Sequence, residues 1–297
     1  MIRLNASILI AAPFLSLVLA LLCGTVQNAL RKILTDHPAL VFVAPAILSG
    51  MFCACAAALD VLSFPLTAAI FVYTFAPTIC AFLVRRHRPP VSVDFGVILL
   101  LWLPLEFSVG ARWVPGPAQG LLHIAAYGVS VILGFVLMLL FRRLDGIKYN
   151  LPRRRQDFVY PLIGLAAVAP VLIVIGRALG FLDPFHVPAN LSALRVGAEF
   201  LFILAATALP EEILFRGFIQ NCIMQKFGAG TRSLLLAALI FGCAHFNNGP
   251  GSVPNWRYAI LATIAGIAYG KVFEKGSSIF ASVFLHALVN TIRHIFF

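Results

Sequence analysis

The chain has 297 residues, of which 61% are hydrophobic and only 11% charged, and it carries a formal net charge of +11. So apolar a composition excludes an ordinary soluble globular protein and a disordered one; it describes a polytopic membrane protein. The excess of Lys and Arg is not a nucleic-acid footprint, because those residues gather between the apolar stretches as cytoplasmic loops require, and no nucleic-acid partner is expected.

In chain order, apolar stretches of spanning or near-spanning length occupy residues 6–23, 39–59, 61–84, 95–109, 120–140 and 158–175. Further ones occupy 191–227, 233–246, 257–273 and 277–297. A crossing helix needs about 20 apolar residues, so the expected fold is all-α, a transmembrane helical bundle with about ten spans. The first stretch has no small-residue cleavage site before a polar mature domain and is read as retained. The basic clusters are Arg31-Lys32, Arg85-Arg86-Arg88, Arg142 to Arg155, Lys226 with Arg232, and Lys271 with Lys275. If 191–227 is one long helix bent near Pro210, all clusters fall on one side and both termini on the other; if it is two helices, the C-terminal third inverts.

Cys23, Cys53, Cys55, Cys80, Cys222 and Cys243 lie inside apolar stretches without zinc-site spacing, and small apolar packing is their expected role. Internal repeats and nucleotide-binding glycine loops are absent from the sequence, which gives no support to a transporter built from duplicated halves.

The informative residues stand in the C-terminal third. Glu211 and Glu212 are adjacent, so on a helix they point about 100° apart and do different jobs. Glu212 reaches Arg216 at i,i+4, a spacing for an internal ion pair. Glu211 has no partner on its own helix, and an isolated carboxylate among apolar neighbours suits a general base or acid near neutral pH. Next comes Phe241 with His245 at the end of an apolar helix. Counted from the polar turn near 228–232 at 1.5 Å per residue, Glu211 lies about 22 Å up one helix and His245 about 18 Å up the next, so antiparallel neighbours bring them level to hold a water between them. Last, His286 and Asn290 share a face of the final helix. They can bridge helices as polar glue, or together donate to the oxyanion of a tetrahedral intermediate.

These motifs resemble the CPBP intramembrane peptidases, the family of type II CAAX prenyl endopeptidases and bacterial bacteriocin-processing and immunity proteins. The pattern Glu-Glu-x-x-x-Arg, Phe-x-x-x-His, His-x-x-x-Asn is matched in order by Glu211-Glu212-Arg216, Phe241-His245 and His286-Asn290, with Phe215-Arg216-Gly217, Gly266, Gly270 and Gly276-Ser277-Ser278-Ile279 as secondary marks. The resemblance implies residues 1–180 as N-terminal transmembrane helices of unassigned role and 181–297 as the protease core. It implies that Glu211 and His245 activate water, that His286 and Asn290 stabilise the oxyanion, and that Glu212, Arg216 and Phe241 support them. The expected activity is hydrolysis of a peptide bond in a membrane-associated or lipidated protein, in the lipid bilayer of a bacterial inner (plasma) membrane.

No metal cofactor is expected. The alternative is a zinc-dependent protease with Glu211, His245 and His286 as ligands, since three such groups plus water make a catalytic site. Against it stand the lack of a His-Glu-x-x-His signature and the better use an oxyanion role finds for Asn290. A proton-coupled transporter using Glu106 and Glu199, or a non-catalytic immunity protein, are the remaining readings.

Overall fold

A computed structural model describes residues 2–87, 92–249 and 253–297, with side chains from residue 7 onward. Arg88 of the second basic cluster lies outside the described residues. Every element among them is helical, and the chain forms two compact units, Met1–Asp145 and Gly146–Phe297.

The first unit contains α1 (Ile2–Ala20), α2 (Gly24–Asp36), α3 (Pro38–Ala58), α4 (Phe64–Leu83), α5 (Ser92–Glu106) and α6 (Gly116–Phe141). Helix α1 packs on α6, α3 on α4 and α6, and α4 on α5. Arg142, which the sequence placed among loop cations, is instead buried and grips Asp94 with two bonds of 2.6 and 2.8 Å while donating to the Val84 carbonyl at 2.6 Å. A planar guanidinium meets a carboxylate in this two-pronged way, and the remaining donor satisfies a backbone oxygen that the helix end would otherwise orphan.

The second unit contains α7 (Gln156–Ala178), α8 (Ala193–Phe227), α9 (Thr231–Cys243), α10 (Trp256–Lys275) and α11 (Phe280–Phe296). By packing, α7 goes with this unit, against α10 and α11, although the motif-based division left it on the N-terminal side of residue 180. The alternative of two helices in 191–227 is not realised. Residues Ala193–Phe227 form one continuous helix of 35 residues, with π-helical turns at Leu204–Ala208 and Ile213–Gln220. Pro210 lacks the N–H that an α-helix directs to the carbonyl of Ala206, and the first π turn spans that carbonyl. The start of α8 shows Leu194, Leu201 and Phe202 to the outside, whereas Ile213, Phe215, Phe218 and Ile219 are buried.

Glycines set the helix spacing at the core. A Cβ on Gly242 of α9 would sit 2.7 Å from the Ala259 carbonyl of α10 and collide with the Thr263 hydroxyl. On Gly270 it would sit 2.6 Å from both Gln220 Oε1 and Leu234 Cδ1. Close approach lets carbonyls of α10 serve α8: Gly266 accepts from Arg216 at 3.3 Å and Gly270 from Gln220 at 3.2 Å.

The turn between α10 and α11 is clasped from the other side. Asp157, at the start of α7, accepts from the Ser277 N–H and hydroxyl, both at 2.6 Å, and from the Ser278 N–H at 3.3 Å. Lys148 donates to the carbonyls of Phe273, Glu274 and Gly276 at 2.7, 3.2 and 2.9 Å, compensating the C-terminal end of α10. Burial pushes the Lys148 ammonium below the ordinary lysine value, and the Glu274 and Asp157 carboxylates oppose the shift.

Among the described residues five helices, α3, α4, α6, α7 and α8, are long and apolar enough to cross a membrane, or six if α1 and α2, bent by 85°, make one span. The expectation of about ten is met only in part, by these five or six. The other apolar stretches do form helices, but α5, α9 and α11 have 15, 13 and 17 residues, short of the roughly 20 a crossing needs. Helix α10 is 20 residues long but carries Arg257, Lys271, Glu274 and Lys275.

Candidate active site

Four helices of the second unit bring the polar motifs to one cavity of about 80 Å³, whose lining includes Glu211, His245, Tyr258, Tyr269, His286 and Asn290. A single water needs roughly 10–15 Å³ on this measure, so the space holds several waters or a short stretch of peptide. Ala169, Leu172, Ile173, Leu261 and Ala262 make its remaining walls largely apolar.

Glu212 organises the floor. It is fully buried, and its Oε1 accepts both from Arg216 Nη1 at 2.8 Å and from His286 Nδ1 at 2.9 Å. Arg216, 2% exposed, is held further by the Gly266 carbonyl and by the faces of Phe241 and Tyr269, at 4.2 and 5.1 Å from the ring centroids. Removing two charges from water is costly; here each ion faces the other, Arg216 gains a carbonyl and two π faces and Glu212 Oε1 gains the His286 N–H, while Glu212 Oε2 is buried without a hydrogen bond. Because the carboxylate accepts from Nδ1, His286 turns Nε2 the other way, to 3.9 Å from Glu211 Oε2. That separation is too long for a hydrogen bond.

Glu211 keeps the isolation its sequence position implied. Its Oε2 is buried without a hydrogen-bond partner, and the side chain is 22% exposed along the cavity. His245, 7% exposed, bonds through Nδ1 to the Phe241 carbonyl at 2.8 Å. A carbonyl only accepts, so Nδ1 carries the proton and the Nε2 lone pair is left available. Phe241 and Tyr258 hold the His245 ring edge-on, with centroids at 4.7 and 4.6 Å. Asn290 is half-buried, and its amide has no protein partner among the described residues.

Residues 194–292 match the family model described as type II CAAX prenyl endopeptidase Rce1-like. Over that span the chain is similar to the CAAX-protease family. Nothing among curated proteins or solved structures matches the chain. The matched span contains each of Glu211, Glu212, Arg216, Phe241, His245, His286 and Asn290, while the first unit lies outside it. Family and apolar helices together mark an integral membrane protein.

Within this matched span the structure joins the three motifs as one site and adds contacts that spacing did not show. Tyr269 stacks on His286 with centroids 4.7 Å apart at 19°. Arg293, one turn beyond Asn290, donates to the Tyr258 hydroxyl at 3.3 Å and lies 4.8 Å above the Phe181 ring. The signal for both tyrosines was a polar hydroxyl in an apolar helix, and Asn255 was a visible cap: its side chain accepts from the Tyr258 N–H at 3.1 Å and starts α10. Glu106 and Glu199 do not line the cavity; Glu106 accepts from Trp102 and Glu199 pairs with His294 at 3.3 Å. Among the described residues no three His, Cys, Asp or Glu side chains are grouped closely enough for a shared metal ion, the trio Glu211, His245 and His286 included.

Proposed function

We propose that this protein is an intramembrane endopeptidase that hydrolyses a peptide bond of a membrane-associated or lipidated protein, working in the bacterial inner membrane without a metal. The observation that carries the reading is the convergence of Glu211, His245, His286 and Asn290 on one small cavity. A water held between Glu211 and the lone pair of His245 Nε2 is polarised from both sides. Glu211 takes its proton as the oxygen attacks the peptide carbonyl, and the carbonyl electron pair moves onto oxygen. Asn290 donates to that oxyanion. Collapse expels the amine, which takes the proton back from Glu211, so peptide and water become a carboxylic acid and an amine. Glu212 and Arg216 set the angle of His286 and stay outside the proton traffic.

The apolar walls suit a substrate that arrives through lipid. The test compares membranes of cells expressing the active protein and its Glu211→Gln form. Fragments that appear only with the active protein, reproduced by purified protein on the same substrate, support the reading. Identical fragment patterns and equal hydrolysis by the purified pair overturn it.

A further inference from the structure

Taken on the hydrolytic reading above, the oxyanion is short of donors. His286 donates Nδ1–H to Glu212, so a neutral imidazole presents only a lone pair at Nε2, and donation from there requires a second proton on the ring. Asn290 contributes its amide, and His286 adds a donor at Nε2 only as the imidazolium. Sites that stabilise this charge ordinarily use two or more preorganised donors.

Besides Asn290, the cavity wall carries donors in Arg293, Tyr258 and Tyr269. Arg293 donates a hydrogen bond to the Tyr258 hydroxyl, which accepts it and keeps its own proton, but Tyr258 lies against His245, whereas Tyr269 stacks on His286, the side of the cavity that carries Asn290. Tyr269 is 1% exposed, and its hydroxyl has no hydrogen-bond partner among the described residues. Buried phenols ordinarily find a partner, and one without a protein acceptor on a cavity wall finds it in whatever fills the cavity. The ring cannot swing away, being stacked on His286 and covered by the Arg216 guanidinium.

We infer that Tyr269 is a catalytic residue, whose hydroxyl donates a hydrogen bond to the oxyanion beside Asn290. The phenol keeps its proton throughout; as water adds to the carbonyl carbon, the O–H bond is aimed at the oxygen that receives the electron pair. Packing alone would be served as well by phenylalanine, which keeps the stacking and the cation–π contact.

Tyr269→Phe therefore tests the hydroxyl by itself. In purified protein on an internally quenched apolar peptide, kcat should fall by about 100-fold with KM within about twofold and thermal stability in detergent unchanged. A phosphinate analogue of that peptide, which carries a tetrahedral anion, should bind Tyr269→Phe about 100-fold more weakly while the peptide amide product binds equally. Wild-type kcat in Tyr269→Phe, equal phosphinate binding, or a loss explained by lowered thermal stability overturns the assignment. A wild-type protein that cleaves nothing refutes the hydrolytic reading instead, and the phosphinate arm still decides Tyr269 because it needs no turnover.

Discussion

Glu212 and His286 stand 74 residues apart and meet through a 2.9 Å contact between Oε1 and Nδ1. The same oxygen holds Arg216, so the position of one histidine on α11 depends on an ion pair formed within α8. The two neighbouring glutamates thereby divide their work: Glu212 is committed to structure, and Glu211 is left open to the cavity.

Glu211→Gln keeps size and polarity, so folding and thermal stability should hold. Loss of the general base should lower hydrolysis by about 100-fold or more. Turnover of the purified variant against wild type checks this, and equal rates sink the role of Glu211.

Glu212→Gln strands Arg216 and weakens the hold on His286 in one step. A stability loss of roughly 3–5 kcal/mol is expected, the scale for breaking a buried pair, together with lost activity. Combining it with Arg216→Met should restore part of the stability but not the activity, because His286 stays unanchored. Thermal unfolding in detergent reads the first effect, and wild-type stability in Glu212→Gln would contradict the pairing.

Asn290→Ala should reduce kcat by about 100- to 1,000-fold with little change in substrate affinity, as one lost oxyanion donor does. Activity should also survive exhaustive chelation, with far less than one transition metal per chain by elemental analysis. A stoichiometric zinc whose removal abolishes turnover and whose return restores it would recast Glu211, His245 and His286 as ligands.

Gly242→Ala tests the packing rather than the chemistry. Its Cβ meets the backbone carbonyl of Ala259 at 2.7 Å, which cannot turn aside, so α9 and α10 must move apart. A loss of about 1–3 kcal/mol is expected, and unchanged unfolding temperature would show that the helices are not held so closely.

Much of this was legible in the order of residues. Composition fixed the helical, membrane-borne character, and the i,i+4 spacings placed Glu212 with Arg216 and Phe241 with His245 on shared faces, because those relations are set by the helix itself. The motif order identified Glu211, His245, His286 and Asn290, which the structure then brings to one cavity. What the sequence could not contain was the rotation and spacing of one helix against another. That decided the Glu212–His286 contact, the stacking of Tyr269, the direction of His245 Nε2 and the packing of α7 with the C-terminal unit. It also separated apolar stretches long enough to cross a membrane from shorter helices such as α9. Periodicity in a chain reports one helical face at a time, whereas these features arise where faces from different helices meet, at distances set by glycines and by the side chains between them.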